Sequence, residues 1–225
     1  MLHPTGRITW RHVLTLLTTI LILRVSAGAV LLYRDYFPPD FGSEFLLGRQ
    51  PYFWGPYSFA FYVHIISGPP SLILGLFLLS NRFRAAAPHW HRRLGRIQVA
   101  NVLLFVVPSG LWMARYAMTG AIAGAGLASL GVATAICCTV GWRLTLRRRF
   151  AEHRRWMWRT YVLLCGAVVI RLIGGAATVM HFDALWVYPV ACWLSWLVPL
   201  LVFEVSQRWP VASVLATPVK THRGR

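Results

Sequence analysis

Acidic residues are scarce in this sequence, with only six Asp and Glu among 225 residues, and charged residues of all kinds make up 13%. Soluble domains average about 25% charged residues. Hydrophobic residues make up 57%, above the roughly 45–50% of soluble domains, and the mean hydropathy is +0.55. This composition excludes an ordinary soluble domain and indicates a protein embedded in a membrane.

Cysteine is also scarce, and the four cysteines lack the spacing of a metal or redox motif. Each lies within an apolar run: Cys137, Cys138, Cys165 and Cys192. A zinc or thiol-redox motif is therefore excluded, and no disulfide framework is indicated. The sequence also has no Cys-x-x-Cys-His haem-attachment motif, no Gly-rich phosphate loop, and no Ser/His/Asp set or carboxylate pair. Covalent haem attachment and protease or transferase chemistry are disfavoured on this ground.

Long apolar runs dominate the rest of the chain. Six of them reach the roughly 20 residues that a helix needs to cross a bilayer. Helices satisfy their own backbone hydrogen bonds in lipid, whereas the strands of a membrane barrel would alternate in polarity. The sequence therefore predicts an all-α fold, a polytopic membrane helix bundle with about six transmembrane helices. The predicted spans are residues 13–33, 57–80, 97–114, 121–142, 160–180 and 184–205.

Basic residues are distributed unevenly between the two sides of these spans. Most Arg and Lys residues lie in the two tails and in the loops after the second and fourth spans, whereas the opposite side has only Arg34, Arg49 and Arg115. The positive-inside rule then predicts a cytoplasmic N-terminal tail (1–12), a single six-helix transmembrane domain (13–205) and a basic cytoplasmic C-terminal tail (206–225). The net charge of +17 is explained by attraction to the anionic lipid of the inner leaflet. Nucleic-acid binding is excluded because the basic residues flank spans and form no separate domain.

Two segments keep alternative interpretations. Residues 1–29 also have the basic start, apolar run and small residues (Ala27, Ala29) of a cleavable signal peptide. The aromatic and proline-rich loop at 34–56 fits an interfacial belt, with a lid folded over an outer cavity as the alternative.

Ionisable residues within a span are costly and are functional candidates. Arg24 and Arg171 each lie eleven residues from the cytoplasmic start of their predicted spans, which places both roughly 16 Å deep at about 1.5 Å per residue. We expect both guanidinium groups to be buried with no carboxylate at that depth. Their partners are either the carbonyls of Ile65 and Ile66, which Pro69 and Pro70 release from helical hydrogen bonding, or a bound anion.

Histidines mark two further places. His64 lies well inside the second span, and Gly68 one turn later leaves room for a flat macrocycle, although a hydrogen bond to a neighbouring helix would also explain this histidine. His91 and His153 each begin a helix on the cytoplasmic side and each is followed by two arginines. Two imidazoles at one level are what axial ligation of the iron of haem b requires. Four arginines are candidates to hold its propionates: Arg92, Arg96, Arg155 and Arg159. The alternative is a basic collar that anchors helix ends to lipid phosphates.

Three motifs in this order resemble one known family. They are a histidine followed by two glycines in the second span, His91-Arg92-x-Leu94-Gly95-Arg96, and His153-x-x-Trp156-Met157-x-Arg159-x-Tyr161 followed by Arg171. Over about residues 60–175 the chain is similar to the bacterial membrane-protein family called domain of unknown function 2306. The resemblance implies a multi-pass protein of the bacterial inner membrane and implies no activity. The family's patterned positions are His64, Gly68, Gly75, His91, Arg92, Gly95, Arg96, His153, Met157, Arg159 and Arg171, and the Pro69-Pro70 pair and the Trp156-Met157-Trp158 run depart from the pattern.

Three functions stay open at this point. The first is a haem-b membrane redox protein that exchanges electrons with quinone, with His91 and His153 as ligands. The second is a carrier for a small anion that uses Arg24 and Arg171 beside the broken second span. The third is a non-catalytic membrane protein that binds lipid or a partner subunit.

Overall fold

The computed structural model describes residues 10–43, 45–182 and 184–215, with side chains described for 13–43, 45–182 and 184–207. These residues are almost entirely helical, and no β-strand occurs among them. The prediction of an all-α fold is confirmed. The α-helices are α1 Trp10–Leu31, α2 Gln50–Phe53, α3 Pro56–Leu79, α4 Asn81–Ala86, α5 Pro88–Asn101, α6 Val107–Ala114, α7 Ala121–Leu146, α8 Phe150–Leu164, α9 Gly166–Val179 and α10 Val187–Leu215.

Six helical segments are long and apolar enough to cross a membrane, which confirms a multi-pass membrane protein. They are Val13–Asp35, Pro56–Leu79, Pro88–Ala114, Ala121–Leu146, Phe150–Val179 and Val187–Gln207, called the first to sixth spans below. The third and fifth spans begin earlier than predicted because their polar, arginine-rich segments continue the helix. Proline at the first turn of α5 favours this early start. The last helix continues to Leu215, into the segment predicted as a tail.

Prolines interrupt two of the spans. Pro69 and Pro70 lie inside α3, and the carbonyl of Ile65 that Pro69 releases accepts a hydrogen bond from the Tyr33 hydroxyl of the first span. In the third span a π-helical turn, Val102–Val106, joins α5 to α6 just before Pro108. Such bulges accommodate a residue that cannot continue regular helical hydrogen bonding. Both interruptions lie beside the cavity described below.

The fourth and fifth spans form an antiparallel hairpin at the end of the bundle that carries the arginine-rich loops, called the basic end. Residues 147–149 make the connection, with Arg148 in the left-handed region at φ 59°. Close approach requires glycine at three described positions, and at Gly124 an added Cβ would lie 2.7 Å from the backbone oxygen of Ala114. A Cβ at Gly75 would lie 2.3 Å from the Tyr161 ring, and one at Gly141 would lie 2.8 Å from the Met157 sulfur.

At the opposite end, residues 36–43 and 45–55, called the cap, fold back onto the bundle. Leu46 and Phe53 are fully buried and pack with Tyr57 and Phe61 at the start of the second span. Exposed aromatic side chains such as Trp54 remain at the rim, as in an interfacial belt. Most of this loop therefore forms a lid over the bundle, which was the alternative interpretation, and only its rim resembles an interfacial belt.

Candidate functional site

His91 and His153 occupy equivalent positions near the basic end. Each is the fourth residue of its helix, α5 and α8. The backbone N–H of His91 donates to the carbonyl of Ala87 at 2.9 Å, and that of His153 donates to the carbonyl of Arg149 at 2.9 Å. The two helices therefore present their histidines one turn from their starts.

The ring of His153 is held in one tautomer by the fourth span. Its Nδ1 lies 2.8 Å from the carbonyl oxygen of Gly141 and 2.6 Å from the hydroxyl of Thr145. A carbonyl oxygen can only accept, so Nδ1 carries the proton in this network and Nε2 keeps its lone pair. Metal-binding histidines are commonly oriented in this way by a backbone carbonyl.

The ring of His91 is close enough to His153 to interact with it electrostatically, and Arg84 and Arg92 are also within that range. Its Nδ1 is buried and has no hydrogen-bond partner in the described part of the chain. Buried ring nitrogens are normally paired. A Cβ added at Gly95, one turn along the helix, would meet nothing within 4 Å. The two histidines thus lie within electrostatic range of each other, and there is open space beside Gly95.

The predicted propionate-binding arginines divide into two groups. Arg92, Arg96 and Arg155 are exposed, and their side chains make no hydrogen bond to another described residue. Arg159 instead forms a bidentate pair with Glu204 of the sixth span, at 2.5 Å and 2.9 Å, and its guanidinium lies 4.6 Å from the Trp156 ring centroid. The predicted propionate role of Arg159 does not fit this arrangement, because its guanidinium is already engaged by a carboxylate.

His64 lines a cavity of about 300 Å³ in the half of the bundle nearer the cap, and neither His91 nor His153 is among its described lining residues. All six spans and the cap contribute to its walls. Its polar lining residues are Ser26, Tyr33, Tyr36, Arg49, Tyr57, His64, Tyr116, Thr134, Arg171, Tyr188 and Ser195. No acidic residue is found among the described residues of the lining. A concave, mostly apolar pocket with a few converging polar groups is the usual form of a ligand site.

The ring of His64 is fixed by the third span. Its Nδ1 lies 3.2 Å from the carbonyl oxygen of Val106 and 3.1 Å from the hydroxyl of Ser109. Gly110 allows the ring to approach, because a Cβ there would be 3.1 Å from Cε1. This is the hydrogen bond to a neighbouring helix that the sequence left as an alternative. It leaves the lone pair on Nε2.

The two arginines predicted at the midplane do not act together. Arg171 lines the cavity within electrostatic range of Tyr33, Tyr36 and His64. Arg24 lies on an exposed face of the first span and does not line the cavity. Both side chains are exposed, so the expectation of burial is wrong for Arg24 and for Arg171. The first span lies at the edge of the bundle, and only 11% of its apolar window is buried.

Arg49 is a cavity residue that the sequence did not indicate. Its side chain is 4% exposed and donates to the carbonyls of Phe45 at 2.6 Å and Tyr116 at 3.1 Å. The Phe45 ring centroid lies 4.5 Å from its guanidinium. In the sequence, Arg49 is distinguished only by its position in the aromatic, proline-rich loop. That composition fits an interfacial belt as well as it fits a lid over a cavity.

Buried polar side chains also join the second and third spans. The side-chain amide of Asn101 donates to the carbonyl of Ser67 at 3.1 Å and to the hydroxyl of Ser71 at 2.7 Å. Gln98 donates to the carbonyl of Ser71 at 3.0 Å. Such bonds hold helices together in lipid. They fix the relative positions of the second and third spans, which carry His64 and His91.

Comparisons with known proteins place the chain in a family without assigning an activity. No curated protein and no solved structure matches it. The family model described as "Predicted membrane protein (DUF2306)" matches residues 61–206. That range holds His64, His91, His153 and Arg171 and covers more than half of the chain, so the chain belongs to this family of predicted membrane proteins.

Proposed function

We propose that this protein is a membrane redox protein that binds haem b between His91 and His153. The observation that carries the proposal is the placement of two imidazoles at equivalent helix positions and within electrostatic range of each other. One of them has its Nδ1 proton held by the Gly141 carbonyl. His91 and His153 would hold the haem iron as neutral imidazoles, and the other ring nitrogen of such a histidine is commonly hydrogen-bonded. When bound, haem b supplies one-electron chemistry, for which a membrane quinol is the class of donor.

The number of ligands favours haem over a metal ion held by protein alone. Among the described residues no group of three or more His, Cys, Asp or Glu side chains is placed to hold a metal. A zinc site needs at least three protein ligands. A haem needs two at most, because its macrocycle supplies the other four.

The surrounding charges suit the carboxylates of haem. Arg84 and Arg92 lie within electrostatic range of His91, and Arg92, Arg96 and Arg155 are exposed and not paired with a described carboxylate. Guanidinium groups bind carboxylates through charge-assisted hydrogen bonds. These residues replace Arg159 as the propionate partners. Cytoplasmic termini in a bacterial inner membrane would place this site on the side of the cytoplasm.

An absorption spectrum tests the proposal. Protein expressed with haem supplementation and purified in mild detergent is expected to show a Soret band that shifts on reduction with dithionite. His91→Ala and His153→Ala are expected to lose the band, whereas His89→Ala, an exposed histidine of the same helix turn, keeps it. A colourless wild-type preparation would end the proposal, and so would equal retention of the band in all three variants.

A further inference from the structure

The cavity near the cap offers hydrogen-bond donors without a matching acid. Arg171 donates to the carbonyl of Ala167, in its own helix, at 2.8 Å, and none of its other N–H groups bonds to a described residue. Arg49 also faces the cavity, and no described carboxylate pairs with either guanidinium. A cation within a span needs a partner. The cavity therefore has a positive field and unused donors.

Two cavity-lining serines also have hydroxyls without a partner. Ser26 of the first span is 4% exposed and Ser195 of the sixth is 1% exposed, and both line the cavity. The Oγ atom of each has no hydrogen-bond partner within the described residues. A serine in a helix can bond to the carbonyl four residues before it, but these two do not. Each is therefore an unpaired donor in the cavity wall whose oxygen is covered by protein atoms.

The apolar part of the lining limits the body of such a molecule. Val25, Leu32, Ile65, Leu72 and Met113 are among the residues that surround the polar groups. A volume of about 300 Å³ is at the low end of ligand pockets, which run from about 300 to 1,000 Å³. The cavity is thus sized for a small molecule and is too small for a lipid with two acyl chains.

We propose that this cavity binds a small organic anion with an apolar body, held by Arg171. The carboxylate accepts hydrogen bonds from the guanidinium, Ser26 and Ser195 lie within the same walls, and Nε2 of His64 is left to accept from a hydroxyl of the ligand. Arg49 is fixed by its own hydrogen bonds and contributes charge. The site is separate from the histidine pair at the basic end and does not depend on it.

Binding of radiolabelled benzoate to the full-length protein in nanodiscs of neutral lipid tests this site. The wild type is expected to show saturable binding of one benzoate per chain. Arg171→Gln is expected to weaken it at least tenfold. Arg24→Gln is the matched control, since Arg24 is an exposed arginine of a span, as Arg171 is, but does not line the cavity. It is expected to bind benzoate as the wild type does.

A second variant protects the test against loss of folding in Arg171→Gln. A Cβ at Gly68 meets nothing within 4 Å, and this residue lines the cavity. Gly68→Leu is therefore expected to fill the space and abolish binding while the protein remains monodisperse. The haem spectrum should be unchanged in Gly68→Leu and Arg171→Gln, which separates failure of this site from failure of the proposed function.

Three results would overturn the proposal. The first is an absence of saturable binding for both benzoate and octanoate. The second is an equal affinity in Arg24→Gln, Arg171→Gln and Gly68→Leu. The third is binding to phosphatidylglycerol vesicles without binding of any free anion. That result would show that the guanidinium of Arg171 binds a lipid headgroup.

Discussion

Replacing Gly75 by Ala tests the packing between the second and fifth spans. The new Cβ would lie 2.3 Å from Cε2 and 2.4 Å from Cδ2 of Tyr161, and ordinary contact begins at 3.4 Å. The ring must therefore move by about 1 Å. Tyr161 is 7% exposed, and its hydroxyl donates to the carbonyl of Leu72 at 3.1 Å. A movement of this size strains the buried ring and breaks the hydrogen bond.

The expected cost follows from these contacts. Overpacking costs about 1–3 kcal/mol, and an interhelical hydrogen bond in a membrane protein contributes about 0.6 kcal/mol. Alanine in a helix is about 0.5–1 kcal/mol better than glycine. The net loss for Gly75→Ala is therefore about 1–3 kcal/mol. Gly95→Ala, where the Cβ meets open space, should gain about 0.5–1 kcal/mol by the same propensity.

The assay is reversible unfolding in mixed micelles of dodecyl maltoside and dodecyl sulfate, with the free energy of unfolding as the readout. A double-mutant cycle with Tyr161→Ala assigns the effect, because Gly75→Ala should become harmless once the ring is gone. The reasoning is refuted if Gly75→Ala and Gly95→Ala differ by less than about 0.5 kcal/mol, which is the additivity error of such measurements.

Three further substitutions have defined outcomes in the same unfolding assay. Glu204→Gln leaves the guanidinium of Arg159 without its bidentate carboxylate. Both side chains are 23–30% exposed, so the free energy of unfolding should fall by about 1–2 kcal/mol, between the values for surface and buried pairs. An unchanged stability would show that the pair contributes nothing. Arg148→Gly relieves a residue at φ 59° and should raise stability by about 1 kcal/mol, a gain that a drop in melting temperature would contradict. Tyr33→Phe removes the donor to the carbonyl of Ile65 and should cost about 1–2 kcal/mol, and no loss would mean that water replaces the hydroxyl.

The number of spans and the family could be predicted from the sequence because both depend on local information. Apolar runs of sufficient length identify helices that cross lipid. Equivalent positions for His91 and His153 followed from their place at the start of two helices. The motifs around these residues were sufficient to predict the family that the comparison then found.

Positions around a helix axis could not be predicted in the same way. Arg24 and Arg171 have the same expected depth and are both exposed, yet only Arg171 lines the cavity. Depth follows from residue count, whereas the face that a helix turns inward depends on its neighbours. The pairing of Arg159 with Glu204 joins residues 45 positions apart, and no local pattern indicates such a contact.

The residue range of the family match divides the cavity wall. The part of the wall with His64, Gly68 and Arg171 lies within residues 61–206, whereas Ser26 and Arg49 lie outside that range. One part of the cavity wall thus comes from the portion that matches the family model, and the other part comes from the segment before residue 61. We expect relatives to retain the residues of the matched part and to vary those of the preceding segment. Members of one family would then bind different ligands in the same cavity.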